Sequence, residues 1–425
     1  MQRTCRIERW PLPGVEVAPG DVVVPAWTDH PERGRVACPS ARLLGGSLLR
    51  SGLAVRYQDL AAPLNADHDP QPGGADETAV LQVLSYLGRD GRPVGLAAVS
   101  RPGVAAAVVA GALDQWAAVI RTRRLVAGGV EPLCAGAQRA RAMVDGLARS
   151  GRPTVVLAPD PAPDPVTAPL AELESAPNDA VVVIGPAGVA PALRERIVAG
   201  GRALVDAACP LALAAQAEVR RFARQGETVV LVGRRGHGAV PGLMGQADGQ
   251  VRLVEDLVQA QQVEVADPAR VAVVLQPGLP VGEAELVAEA VRNRFGHVLP
   301  QHPSTYCHAA DDRLRALTQL ADACAVVLVA GPEPSAREVV RTIEQAGADA
   351  YAVSGPGDVR PGWLDRRASV GVTASAGADP GLVEELLRAL SGLGPCAVEV
   401  RGAATVVTAT SDASDVLSAP STPPG

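Results

Sequence analysis

The 425-residue chain carries a formal net charge of −7, with 39 basic residues, all of them arginine, against 46 acidic ones. That length supports more than one sizeable core, and the acidic balance with no long basic run excludes general nucleic-acid binding. Apolar residues make up 47% and aromatics only 2%, so the chain is globular, with cores built from Ala, Val and Leu.

The start, Met1 to Arg9, lacks an apolar signal core. The most apolar stretch, Val104 to Ile120, is interrupted by Gly111, Asp114 and Gln115 and does not read as a bilayer span. Seven scattered cysteines do not resemble a secreted disulfide framework. The expectation is a cytoplasmic protein with no membrane partner.

In chain order, an extended segment covers 20–25, a strand 35–38, a helix 39–51 and a strand 53–57. Residues 61–76, rich in Pro, Gly, Asp and Asn, read as a loop. A helix at 77–87, a strand at 94–99 and a long helix at 104–123 complete a small amino-terminal α/β domain, 1–122. No catalytic motif stands out in it.

From Leu125 the alternation becomes regular. Strands are expected at 154–157, 180–184, 203–205, 228–232, 271–275, 325–329, 350–353, 369–373 and 397–400. Amphipathic helices are expected at 138–149, 191–199, 213–224, 283–294, 313–321, 335–345 and 381–390. Short apolar strands alternating with helices mean parallel sheets covered by helices, with the functional crevice beyond the strand carboxyl ends. Residues 123–410 form this core, and 411–425, rich in Ser and Pro, read as a disordered tail.

Three cysteines share one setting, a loop after a strand and just before a helix. They are Cys134 in Pro132-Leu133-Cys134-Ala135-Gly136, Cys209 in Asp206-Ala207-Ala208-Cys209-Pro210 and Cys307 in Thr305-Tyr306-Cys307-His308. A thiolate at a helix N-terminus is stabilised by free N–H groups and the positive end of the dipole. Three such thiolates can hold an iron–sulfur cluster. Cys324 and Cys396 each precede apolar runs and read as strand-core residues. Cys38, in Val36-Ala37-Cys38-Pro39, repeats the local pattern of Cys209 and reads either as a core residue or as a fourth ligand. Neither a Rossmann glycine fingerprint nor a Walker motif is present, which speaks against NAD and ATP.

These motifs resemble the 4-hydroxy-3-methylbut-2-enyl diphosphate (HMBPP) reductase family, also called LytB or IspH. Leu133-Cys134-Ala135-Gly136-Ala137 resembles the family's G-F-C-A-G-V, and Asp206-Ala207-Ala208-Cys209-Pro210-Leu211 resembles D-A-T-C-P-L. Gly236-His237 through Gly242-Leu243-Met244-Gly245-Gln246 resembles G-H-P-E-V-E-G-T-M-G-Q, and Gly371 to Ala376 resembles G-V-T-A-G-A. The resemblance runs from about Leu125 to Val400. It implies three pseudo-symmetric α/β lobes around a central [4Fe–4S] cluster held by Cys134, Cys209 and Cys307. It implies an oxidoreductase of isoprenoid biosynthesis, which removes the hydroxyl of an allylic diphosphate with electrons from a ferredoxin- or flavodoxin-like donor.

The same comparison marks departures. The family's acid in H-P-E is Ala239, while the preceding histidine remains as His237, the expected catalytic residue. The histidine of A-H-G-V is Ala187, the H-N pair has no counterpart in 160–165, and the threonine pair of Q-T-T-L is Pro277-Gly278. Ser335 matches a serine of N-S-S-N-S, whereas Ala336 and Arg337 replace its next two residues, and Ser375 lies beside the family serine position at Gly377. Ser335, Arg337, Ser375 and Arg234 are the expected substrate contacts, and Arg235 could share that role. The departures imply an altered substrate or weak activity on HMBPP. The alternative is a non-catalytic, cluster-bearing sensor or binding protein.

Overall fold

A computed structural model describes residues 6–12, 15–59, 78–88, 90–129, 134–149, 151–157, 176–379, 381–401 and 406–409. The expected loop at 61–76, the 160–165 segment and the tail from 411 lie outside the described residues. The chain forms two compact units, residues 1–130 with 316–425, and residues 131–315.

The first unit contains two sheets. One is a seven-stranded sheet whose main path runs Ile7–Leu12, Ala79–Leu87, Pro93–Ser100, Asp21–Val24, Ala54–Tyr57. The other orders its strands Asp349–Val353, Val326–Ala330, Ser369–Ala374, Arg123–Gly128, Cys396–Arg401, Val406–Ala409, parallel except for the last. A single apolar core joins them: Leu44, Leu81, Leu96 and Trp116 pack in one cluster with Leu125, Leu328, Val372 and Leu386. The boundary expected at 122/123 runs through this core.

Residues 79–87 form a strand, not the helix expected from their apolar spacing. The segment pairs with neighbours on both edges, and Leu81 to Ser85 are all buried. Burial on both faces removes the alternation that marks a strand, and what is left imitates helical spacing. The expected long helix also ends early, at Ala118, and Arg123 already opens the next strand. Arg123 is buried there and donates to the carbonyls of Leu393 at 3.1 Å, Leu364 at 3.3 Å and Arg367 at 3.3 Å.

The second unit contains two wholly parallel sheets. The first runs Ala203–Asp206, Val181–Ile184, Thr154–Leu157, and the second Val251–Val254, Thr228–Val232, Val271–Leu275, Val298–Pro300. Their central strands are apolar and buried apart from Thr228, the pattern of strands covered by helices on both faces. Helices Ala135–Arg149, Pro191–Ala199, Pro210–Arg224 and Val281–Phe295 supply that cover. With the six-stranded sheet of the first unit, parallel but for its last strand, the chain thus builds three largely parallel sheets in an α/β fold.

Candidate functional site

In the second unit, Cys209 and Cys307 follow the carboxyl ends of the strands Ala203–Asp206 and Val298–Pro300, and Cys134 stands before that unit's first helix. Each sits at or next to the start of a helix. Cys134 precedes Ala135–Arg149, and its carbonyl accepts from the Gln138 N–H at 2.9 Å. Cys209 caps Pro210–Arg224, with Pro210 in the first helical position, where its missing N–H costs nothing. Cys307 lies two residues before Ala309–Ala323.

Local bonds explain why the chain turns at each. After the strand at 203–206, the Asp206 carboxylate accepts the Ala208 N–H at 2.9 Å and pairs with Arg194. That folds the strand end so that the Cys209 N–H donates to the Pro186 carbonyl at 2.9 Å. Cys307 is held from both sides. The Tyr306 hydroxyl donates to Glu285 at 2.8 Å, and burial plus that carboxylate push its phenol up to about 12. One turn later the Asp311 carboxylate accepts the Val281 N–H at 3.0 Å.

A sequence of contacts links these loops. A Cβ on Gly136 would lie 2.6 Å from the Cys209 sulfur, so glycine beside Cys134 is what lets that sulfur in. The 186–188 loop, bonded to Cys209, abuts Gly242, where a Cβ would lie 3.5 Å from the Gly188 carbonyl carbon. Gly242 belongs to the helix that follows His237, and the His237 ring faces Gly278, where a Cβ would lie 3.2 Å from Nε2. Gly278 leads to Val281 and so to Asp311 and Cys307.

His237 is well defined. The Ala239 N–H donates to Nδ1 at 3.1 Å, which leaves the proton of the neutral ring on Nε2, toward Gly278. Burial, and then the nearby Arg234 charge, lower its pKa below the usual 6.5. The unfolded chain therefore binds more protons than the folded one just below pH 6.5. This contribution to stability is complete above that pH and is lost as the pH falls. An NMR titration of the His237 ring should show a midpoint below 6.5, and a midpoint at or above 6.5 would contradict this environment.

The other expected contacts are placed less uniformly. Arg234 pairs with Glu283 at 2.8 Å and Arg337 with Glu333 at 3.0 Å, all four groups being largely exposed. Arg235 likewise faces Glu255 at 3.6 Å. In the first unit Ser335 and Ser375 meet, Oγ to Oγ, at 3.4 Å, although 40 residues separate them. Ser335 also donates to the Ala376 carbonyl at 2.7 Å. Cys38 is a core residue of the first unit, its thiol pushed up to about 12 by burial and by Asp59, and Cys324 is likewise buried, at about 11.

Two polar residues escaped the sequence reading. Gln276 accepts the Arg234 N–H at 2.8 Å and so fixes the turn that leads to His237. Gln216, on the helix capped by Cys209, is buried with its amide nitrogen unpartnered beside Gly188 and Gly242. The available signal was polar side chains at otherwise apolar positions of buried elements.

Among the described residues, no three His, Cys, Asp or Glu side chains converge as the ligands of one ion must. A [4Fe–4S] cluster makes a different demand, one thiolate on each of separate irons. By donor type the three helix-start cysteines suit that demand, and the space at Gly136 is kept free for the Cys209 sulfur. Nor is any helix among the described residues long and apolar enough to cross a membrane.

The family model described as LytB protein matches residues 128–391. The HMBPP reductase of Saccharophagus degradans is 35% identical over 238 residues, spanning 54% of this chain and 76% of that protein. That of Bordetella pertussis is 37% identical over 235 residues, 54% of this chain and 71% of that protein. Among solved structures, the E-1-hydroxy-2-methyl-but-2-enyl-4-diphosphate reductase from Plasmodium falciparum covers 66% of this chain and 93% of its own, at a TM-score of 0.56 and 18% identity, a likeness of fold. The family match takes in Cys134, Cys209, His237 and Cys307, and the chain belongs to the LytB, or HMBPP reductase, family.

Proposed function

We propose that this protein is an iron–sulfur oxidoreductase of the HMBPP reductase type whose substrate is an allylic or related diphosphate other than HMBPP. Cys134, Cys209 and Cys307 would hold a [4Fe–4S] cluster, and a ferredoxin- or flavodoxin-like protein would supply its electrons. The observation that carries this reading is the retention of three helix-start thiols together with the loss of the acid. Ala239 stands where the family motif has glutamate and is fully enclosed in the apolar core.

When bound, a cluster supplies single electrons and an iron that acts as a Lewis acid on a leaving oxygen. The chain's own contribution at this crevice is narrower. His237, neutral and with its proton on Nε2, offers a hydrogen bond near Gly278. Within the first unit, taken by itself, the Ser335 and Ser375 hydroxyls form a polar pair suited to a phosphate oxygen. Losing one positioned proton donor lowers a rate by about 10²–10⁴, so HMBPP itself should turn over slowly. Residues 123–410 would form the catalytic part, in the cytoplasm, with the amino-terminal segment as its structural support.

The test is turnover by anaerobic, iron-loaded protein with a chemical reductant and a panel of allylic diphosphates. Dehydroxylated product from one of them, with HMBPP at least about a hundredfold slower, is the expected result. HMBPP turnover at a rate no lower than for any other substrate would overturn the altered-substrate reading. The enclosed Ala239 also favours a second reading, a cluster-bearing sensor or binding protein. Tight diphosphate binding with no turnover of any substrate would select it.

A further inference from the structure

A cavity of about 410 Å³ opens within the first unit, lined by none of the residues assigned above. It lies where the helices Ala41–Arg50 and Val104–Ala118 meet the turn Pro361–Leu364. Its polar lining comprises Ser47, Arg50, Ser51, Gln115 and Arg360, and Trp363 supplies an apolar wall. Among the described residues no carboxylate lines it. The nearest acid in sequence, Asp358, is turned into its own loop, accepting the N–H groups of Ser354 at 2.7 Å and Gly355 at 3.2 Å.

In a chain whose only strong base is arginine, single arginines mean little. In this unit most of them face carboxylates, as Arg33, Arg42, Arg56, Arg124 and Arg388 do. Among the described residues no carboxylate comes within ion-pair distance of Arg50 or Arg360; Asp358 acts on Arg50 only through space, and the two arginines converge on one cavity. Arg50 is fixed in place by the carbonyl of Val359 and the hydroxyl of Ser47, each at 3.2 Å, and by the carbonyl of Gly357. Arg360 is oriented over the Trp363 ring, 5.6 Å from its centroid, and Trp363 is itself stacked on Tyr351 at 4.1 Å. Ser47 is held by the Trp116 indole at 3.1 Å, so the cavity floor is rigid.

Two like charges held near each other repel, and one carboxylate, Asp358, offsets only part of that at Arg50. An anion between them relieves that repulsion and takes the guanidinium donors still free. The volume exceeds that of a bare phosphate, and the wall formed by Trp363 and Pro361 suits an apolar body. We propose that this cavity binds a small phosphorylated molecule, with its phosphate or diphosphate between Arg50 and Arg360 and its apolar part along Trp363. The site is separate from the cysteine loops and does not depend on the reaction they support.

The full chain has four tryptophans, so a ¹⁵N-indole spectrum offers a local reporter at Trp363, assigned with Trp363→Phe. Titrating pyrophosphate should shift the Trp363 signal saturably. Arg360→Ala should weaken that midpoint by at least about tenfold, because one charge-assisted contact is lost. Among the described residues the Arg360 side chain makes no hydrogen bond to the backbone, and its carbonyl, which accepts the Trp363 N–H, is kept in alanine, so this variant should melt like the parent. A Trp363 signal that does not move, or one with the same midpoint in Arg360→Ala, would overturn the proposal.

Discussion

Replacing any one of Cys134, Cys209 or Cys307 by alanine should strip the protein of its cluster. Reconstituted protein should lose iron, sulfide and visible charge-transfer absorbance. The loss in retention should reach at least about a hundredfold, the upper end of what removing even an outer partner of a metal site costs. Gly136→Val should act in the same direction with every thiol intact, because its Cβ would lie 2.6 Å from the Cys209 sulfur. Cys38→Ala and Cys324→Ala serve as controls. Both thiols are buried and held protonated, with pKa values of about 12 and 11, so neither is available as a ligand thiolate. If Cys209→Ala kept full iron and sulfide content, the ligand assignment would fail.

The second large effect is expected at Gly46. The helix Ala41–Arg50 packs there almost backbone to backbone on the 357 turn, and a Cβ on Gly46 would lie 2.0 Å from the Gly357 carbonyl oxygen. Neither partner can swing aside as a long side chain would, so Gly46→Ala must push the helix off the turn. Overpacking of this kind should lower stability by about 3 kcal/mol or more in a urea titration. Gly111→Ala, in the helix Val104–Ala118 with nothing near its Cβ position, should instead stabilise by up to about 1 kcal/mol. A Gly46→Ala variant within about 0.5 kcal/mol of the parent would show that the amino-terminal segment does not rest on this turn. The pair of variants thus tests whether residues 1–122 and the 316–401 region stand on one shared core.

Where local pattern decides structure, the sequence was legible. The helices Pro191–Ala199 and Ser335–Gln345 and the strands Thr228–Val232 and Val271–Leu275 fall where their apolar spacing puts them. The strand Ala79–Leu87 did not, because a strand buried on both faces carries no alternation to read. The division at 122/123 was drawn from a change in rhythm along the chain, which says nothing about which cores fuse. Leu81 and Val372 lie in one cluster although nearly the whole family-like region separates them.

The site divides in the same way. The helix-start position of the three cysteines follows from proline, glycine and aspartate beside them, all visible in the sequence. What Arg234 and Arg337 do depends on partners contributed by distant or neighbouring carboxylates, Glu283 and Glu333, and both guanidiniums are spent on those pairs. Gln276 and Gln216 were passed over because an isolated glutamine between apolar residues has no motif. Only the fold reveals that one orients the His237 turn and that the other is buried with a free amide nitrogen.

The central claim is that three thiols of the second unit hold an iron–sulfur cluster open to a diphosphate. A Mössbauer spectrum of anaerobically prepared, iron-57-labelled protein, taken with and without an allylic diphosphate, tests it most directly. A [4Fe–4S] spectrum in which one iron is distinct, and changes when the diphosphate is added, is the predicted result. A protein that assembles no cluster after reconstitution, or a cluster whose irons all ignore every diphosphate offered, would contradict it.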